Sequence, residues 1–265
     1  MSSTPMTSGD PVIVGEVESV TQLRDVVYVL CSRSSSILRF DAVTHRALKD
    51  VELPGLVSPH DIAACQRTRH LYVADFECVW RASEDGATVQ RWLPGTPPSD
   101  APLRPWTLSV TWARLLVTSP ETKELIQFDD EGRELCRVRL PRHILPRHAV
   151  ESPAGAFILS FSDTARDRDM VSVVNDSGQF LHQFSGAHLR WPNHVDVDAG
   201  GTIFLADCYS GRVLLLDARL ALRRVVIDEH GLNYKSLRGL CYVRETGQLL
   251  VALDDSIAVF DLLSR

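Results

Sequence analysis

Lysine is nearly missing from this 265-residue chain: of its 28 basic residues only Lys49, Lys123 and Lys235 are lysine, and the rest are arginine. Any cationic surface is therefore suited to planar, bidentate contacts and stacking. Long apolar runs are missing too. No stretch reaches the roughly 20 residues of a membrane-spanning helix, and the opening MSSTPMTSGD lacks the apolar centre of a signal peptide. The six cysteines, Cys31, Cys65, Cys78, Cys136, Cys208 and Cys241, form no CxxC pair and lie in or beside apolar runs, as buried reduced thiols do. These absences predict a soluble, cytoplasmic protein without membrane attachment, with a flexible leader over residues 1–10. There is no GxSxG elbow, and no serine or cysteine has an evident histidine partner, which argues against a nucleophilic hydrolase. Asparagine occurs only at Asn175, Asn193 and Asn233, leaving little to assemble a calcium centre from oxygen ligands. A net charge of −6 argues against a uniform nucleic-acid-binding coat and leaves room for one basic face.

What the chain does have is periodicity. A proline, two residues and an apolar strand start recur as PHDIAA from Pro59, PWTLSV from Pro105, PRHAVE from Pro146 and PNHVDV from Pro192. VESVTQ from Val17 and LRGLCY from Leu237 complete the set, at intervals of 42, 46, 41, 46 and 45 residues. Each unit continues with a second apolar run (VVYVL, LYVAD, LLVTS, FILSF, IFLAD, LLVAL), then a third, then a turn such as EDG, DEG or DSG. A more polar fourth run usually follows. Four strands repeated six times predict an all-β fold, a six-bladed β-propeller of four-stranded antiparallel blades. The blades are placed at residues 17–53, 59–94, 105–140, 146–184, 192–227 and 237–262. The last unit lacks a fourth strand, while VIVG at residues 12–15 is a strand without a blade; its addition to the last blade would close the ring. One domain over residues 11–265 follows, expected to be monomeric.

The pattern of Pro-x-x-apolar, then IFLAD or LYVAD, then GRVLLLD resembles the NHL repeat, and is strongest from Pro59 to Asp75 and from Pro192 to Asp217. The resemblance is to the C-terminal propellers of tripartite-motif proteins, and it implies binding of single-stranded RNA or of protein partners. Similar six-bladed folds also serve as enzymes, namely the peptidyl-hydroxyglycine amidating lyase and lactonases of the regucalcin and paraoxonase type.

The loops leading into the innermost strands hold Arg104, Arg142, Arg147, Arg190, Lys235 and Arg238 beside Trp106, Trp191 and Tyr234. Arginine interleaved with aromatic rings is what single-stranded RNA requires, since phosphates take the charge and bases stack. With His148 and His194 these residues define an expected ligand-binding face. The expected function is a non-enzymatic recognition module for a protein, a peptide or single-stranded RNA, without a cofactor. The alternative is a metal-dependent propeller lyase or lactonase-like hydrolase, holding zinc or calcium in a channel. Its metal ligands would be His60, His148 and His194, as three histidines hold zinc in the amidating lyase. His60 follows its proline by one residue, whereas His148 and His194 follow theirs by two, so period-two alternation points His60 to the other side of its strand. The charged DTARDRD, residues 163–169, reads as the longest loop between second and third strands.

Overall fold

The computed structural model describes residues 3–5, 15–93, 103–184, 189–228 and 236–262. Strand β1 (Ser3–Pro5) is followed by the first blade, β2 (Val17–Leu23), β3 (Val26–Cys31), β4 (Ser36–Asp41) and β5 (Ala47–Glu52). The second blade is β6 (Asp61–Cys65), β7 (His70–Asp75), β8 (Cys78–Ser83) and β9 (Val89–Leu93). The third is β10 (Thr107–Thr111), β11 (Arg114–Ser119), β12 (Glu124–Phe128) and β13 (Glu134–Arg139). The fourth is β14 (Ile144–Glu151), β15 (Phe157–Asp163), β16 (Arg168–Val174) and β17 (Phe180–Phe184). The fifth is β18 (Pro192–Val197), β19 (Ile203–Asp207), β20 (Arg212–Leu216) and β21 (Leu222–Ile227). The sixth is β22 (Leu237–Val243), β23 (Gln248–Leu253) and β24 (Ser256–Asp261), with β1 beside β24. Six four-stranded antiparallel sheets and, among the described residues, one short 3-10 turn, Cys208–Ser210, make a six-bladed β-propeller.

Contacts divide the chain into two compact units, Met1–Leu108 with Gly239–Arg265, and Ser109–Arg238. In the first, Leu23, Tyr28 and Ile37 of blade one pack with Leu71, Val73 and Trp80 of blade two. Val27, Val29 and Phe40 pack with Leu250, Ala252 and Ile257 of blade six. In the second, Leu116 and Leu125 of blade three meet Phe157, Leu159 and Phe161 of blade four, whose other face sets Ile158 and Val171 against Val195, Leu205 and Leu214 of blade five. Second strands are covered on both faces, so they read as mainly apolar runs: β19 is buried at every residue, Asp207 included. Outer strands such as β17 are mostly exposed and correspondingly polar.

The AD ending of β7 and β19 has a local purpose. Asp75 accepts N–H bonds from Val57 and Ser58, 3.1 and 2.7 Å, and from the Trp80 indole, 3.1 Å. Asp207 accepts the Arg190 N–H at 2.6 Å. Each carboxylate thus tethers the loop leading into its own blade to the end of the second strand.

An N-terminal strand does complete the last blade, yet it is Ser3–Pro5, paired antiparallel with Ala258–Phe260. Gly15 is a bend and the rest of the expected strand, residues 12–14, lies outside the described residues. DTARDRD is not a long loop. β15 runs to Asp163 and β16 starts at Arg168, with Asp163 opposite Arg168, because both strand ends carry their charges at the hairpin tip. The cysteines are thiols, and Cys31, Cys65, Cys78 and Cys208 are buried as their apolar settings predict. Among the described residues no helix is long and apolar enough to cross a membrane.

Candidate active site

Blades four and five begin alike. A proline stands third in β14 and first in β18, and the pairing with the second strand slips between Pro146 and His148 and again between Pro192 and His194. Each slip sets two residues against one, a bulge that re-aims the side chains beside it. His148 then lies opposite Ser160, and His194 opposite Ala206. Since β14 and β18 pack side by side, the two imidazoles come together, ring centroids 3.7 Å apart and planes inclined by 32°.

His148 is buried, and its Nδ1 accepts the Val195 N–H at 3.4 Å. With Nδ1 an acceptor, the neutral ring carries its proton on Nε2. His194 is partly exposed as a residue, but its Nδ1 is shielded from solvent. Burial first, and the neighbouring His148 second, hold His194 well below the ordinary imidazole value, so it is neutral at physiological pH. The pair therefore offers a proton donor and a neutral base in contact.

In the first unit, the residue two positions after the proline of blade two is Asp61, and His60 precedes it. His60 stacks on Trp106, centroids 4.1 Å apart, and burial lowers its basicity. Asp61 is buried and accepts hydrogen bonds from Ser19 Oγ at 2.6 Å, Ile62 N–H at 2.9 Å and Leu108 N–H at 2.7 Å. Those bonds favour the carboxylate, but burial outweighs them and pushes its pKa up to about 7. A search for histidines passes over Asp61. The signal that finds it is register, because Asp61, His148 and His194 each stand two residues after a proline.

No family model matches the chain, and no curated protein matches it in sequence. Solved structures do match in fold. A protein assigned as a gluconolactonase superposes with a TM-score of 0.74 at 12% identity, over 98% of this chain and 91% of that one. A streptogramin B lyase gives 0.68 at 11% identity, over 97% and 96%. A catalytically inactive histidine-to-alanine variant of virginiamycin B lyase from Staphylococcus aureus, solved with quinupristin, gives 0.64 at 16% identity, over 93% and 80%. These matches are of fold, and the fold shared is the six-bladed propeller. The NHL resemblance finds no matching family model. The expectation of a non-enzymatic recognition module is corrected by these neighbours, which favour the enzyme alternative; a repeat pattern reports the blades and is silent on the chemistry they carry.

The remaining residues of the expected face are placed as follows. Arg142 and Arg190 are exposed. Arg104 lies over the Phe76 ring, 4.6 Å from its centroid. The Arg238 carbonyl accepts the Asn193 side-chain N–H at 3.0 Å. Tyr234 and Lys235 lie outside the described residues. Arg147 is not a loop residue turned to solvent. It is the bulged residue of β14, 5% exposed, with Nη2 bonded to Asp169 Oδ1 at 2.9 Å and to Ser162 Oγ, and its guanidinium 3.4 Å from the Trp191 ring centroid. Arg147→Glu would set a carboxylate against Asp169 in this buried setting. It should cost about 3–5 kcal/mol and lower Tm by about 6 °C or more, while Arg142→Glu leaves the thermal melt unchanged.

Proposed function

We propose that the chain is an enzyme that cleaves the C–O bond of a cyclic ester, as a lactonase-like hydrolase or a lyase. The observation that carries this reading is the His148–His194 contact, a neutral base beside a proton donor at two bulged strand starts. The fold shared with lactonase and lyase propellers supports it, as does the loss of catalysis in the histidine variant of one neighbour. The NHL-type repeat, on this reading, describes the blade and not the reaction.

His194 takes a proton, either from water attacking the carbonyl or from the carbon next to the breaking bond. His148 gives its Nε2 proton to the departing oxygen, so one proton enters the pair as another leaves. The donor set suits zinc, which accepts imidazole nitrogen, better than calcium, which needs oxygen ligands. On the metal-dependent alternative, His148 and His194 would instead be two of the three protein ligands of a catalytic zinc, in place of the proton-transfer roles above, and the zinc would supply Lewis-acid polarisation of the carbonyl.

Glucono-δ-lactone, δ-valerolactone and dihydrocoumarin, assayed by proton release in 18O-water, test the proposal. Ring opening with 18O in the product identifies a hydrolase, and an unsaturated product without it a lyase. Turnover of none of them, or turnover that survives replacement of both histidines by phenylalanine, overturns the reading.

A further inference from the structure

The two bulges that aim the histidines also loosen the strand starts that carry them. A bulge leaves one residue out of the ladder, Arg147 in β14 and Asn193 in β18, each directly before its histidine. The bonds on His148 itself are long for their kind: the Val195 N–H reaches its Nδ1 at 3.4 Å, and Ser160 Oγ meets its N–H and carbonyl at 3.3 and 3.2 Å. Two rings whose centroids stand 3.7 Å apart need a firmer hold.

Asp169, the second residue of β16, bonds to both strand starts at once. Its Oδ1 accepts Arg147 Nη2 at 2.9 Å, one residue before His148, and Ser162 Oγ at 2.5 Å; its Oδ2 accepts the Trp191 N–H at 2.8 Å, three residues before His194. The Asp75 and Asp207 carboxylates tether a loop to its own blade, whereas Asp169 reaches from blade four to the entry of blade five. That entry is held twice, because Asp207 accepts the N–H of the adjacent Arg190 at 2.6 Å. The Trp191 indole closes the joint: Arg147 covers one face, its guanidinium carbon 3.4 Å from the ring centroid, and Tyr209 is stacked on the other, centroids 5.2 Å apart. Trp191 has φ 68°, a left-handed conformation uncommon for a bulky residue, which persists only where the surroundings over-determine it.

We infer that Asp169 is the positioning residue of the histidine pair: its two carboxylate oxygens clasp the strand starts of blades four and five and so set the separation of the His148 and His194 rings. The consequence for rate rests on the enzyme reading above; the consequence for the rings does not. A carboxylate suits the task because its oxygens are fixed to one another and each bond it makes is charge-assisted. An amide in its place has one acceptor oxygen, so it can hold Arg147 or Trp191 but not both. Proton transfer across the pair requires both rings in place, and a displacement of about 1 Å costs on the order of a hundredfold.

The test reads the rings directly. With histidine labelled selectively in the full chain, the nuclear Overhauser effect between the His148 and His194 ring protons is assigned by its disappearance in His148→Phe and in His194→Phe. It should be strong in the parent and lost in Asp169→Asn. Arg147→Met, which replaces the other end of the clasp with an apolar side chain, should lose it as well. Where the lactones above are turned over, Asp169→Asn should lower kcat by about ten- to a hundredfold with KM nearly unchanged. Arg114→Gln is the control for stability: it removes the 2.7 Å ion pair to Glu151 at the far end of β14, and should lower the melting temperature while leaving the ring signal and kcat as they are. Loss of the ring signal in Asp169→Asn without lactone turnover in the parent supports the clasp and sinks the enzyme reading alone. A ring signal unchanged in Asp169→Asn, or weakened equally in Arg114→Gln, overturns the inference.

Discussion

Replacing His194 with phenylalanine should lower kcat/KM by at least about a hundredfold, the usual worth of a positioned proton-transfer group, with a thermal melt close to that of the parent. Phenylalanine keeps a flat ring in the space beside His148, so a histidine that only packs would be replaced without loss. The pH profile separates the two roles further. Burial and His148 keep His194 neutral well below the ordinary imidazole range, so the base stays competent in mildly acidic solution. The acid limb of kcat/KM in the parent should therefore lie below the ordinary imidazole range, and whatever activity remains in His194→Phe should lack that limb. A variant that retains more than about a tenth of the parent kcat/KM removes His194 from the chemistry.

Asp61→Asn should reshape the pH dependence of stability more than any other single change. Its folded pKa of about 7 lies above the roughly 3.9 of an unfolded chain, so between these values the folded state holds a proton that the unfolded state does not. This contribution is fully present below about pH 4 and is lost as pH rises through about 7, a difference of about 4 kcal/mol at 1.36 kcal/mol per unit. His194 works in the opposite sense. Its depressed value means that the unfolded state takes up the proton first, so stability present above about pH 6.5 is lost on acidification. In the parent the two slopes oppose one another across the mildly acidic range. Asparagine keeps the shape of Asp61 without titrating, so urea melts of Asp61→Asn should lose stability steeply from pH 7 to pH 5 while the parent changes little. Parallel curves for the two proteins would show that Asp61 titrates as it does in water.

The blades were legible because their cause is local. Second strands such as IFLAD are covered on both faces, so they are mainly apolar, and a proline-led start recurs in blades two to five. The AD carboxylates were visible as a pattern, and their purpose became clear only when the loops they tether were placed. The blade-completing strand was misplaced for an equally physical reason. VIVG has strong β-propensity, whereas STP, the segment that pairs with Ala258–Phe260, has no apolar alternation in its sequence. Arg147 read as surface because arginine usually is. Its burial depends on Asp169, twenty-two residues away in sequence, and on the face of Trp191. The histidine pair was half legible: both residues were picked out, whereas their contact depends on bulges that a two-residue period does not encode.

The buried cysteines give the fold a built-in clock. Burial pushes the Cys31 and Cys78 thiols up to about 11 and Cys208 up to about 12, so none offers thiolate to a reagent at neutral pH. Each sits in a different blade, one, two and five, and each is exposed only when its own blade opens. The rate at which iodoacetamide labels each position is then a blade-by-blade record of local opening, with Cys208 timing the hairpin that carries Tyr209.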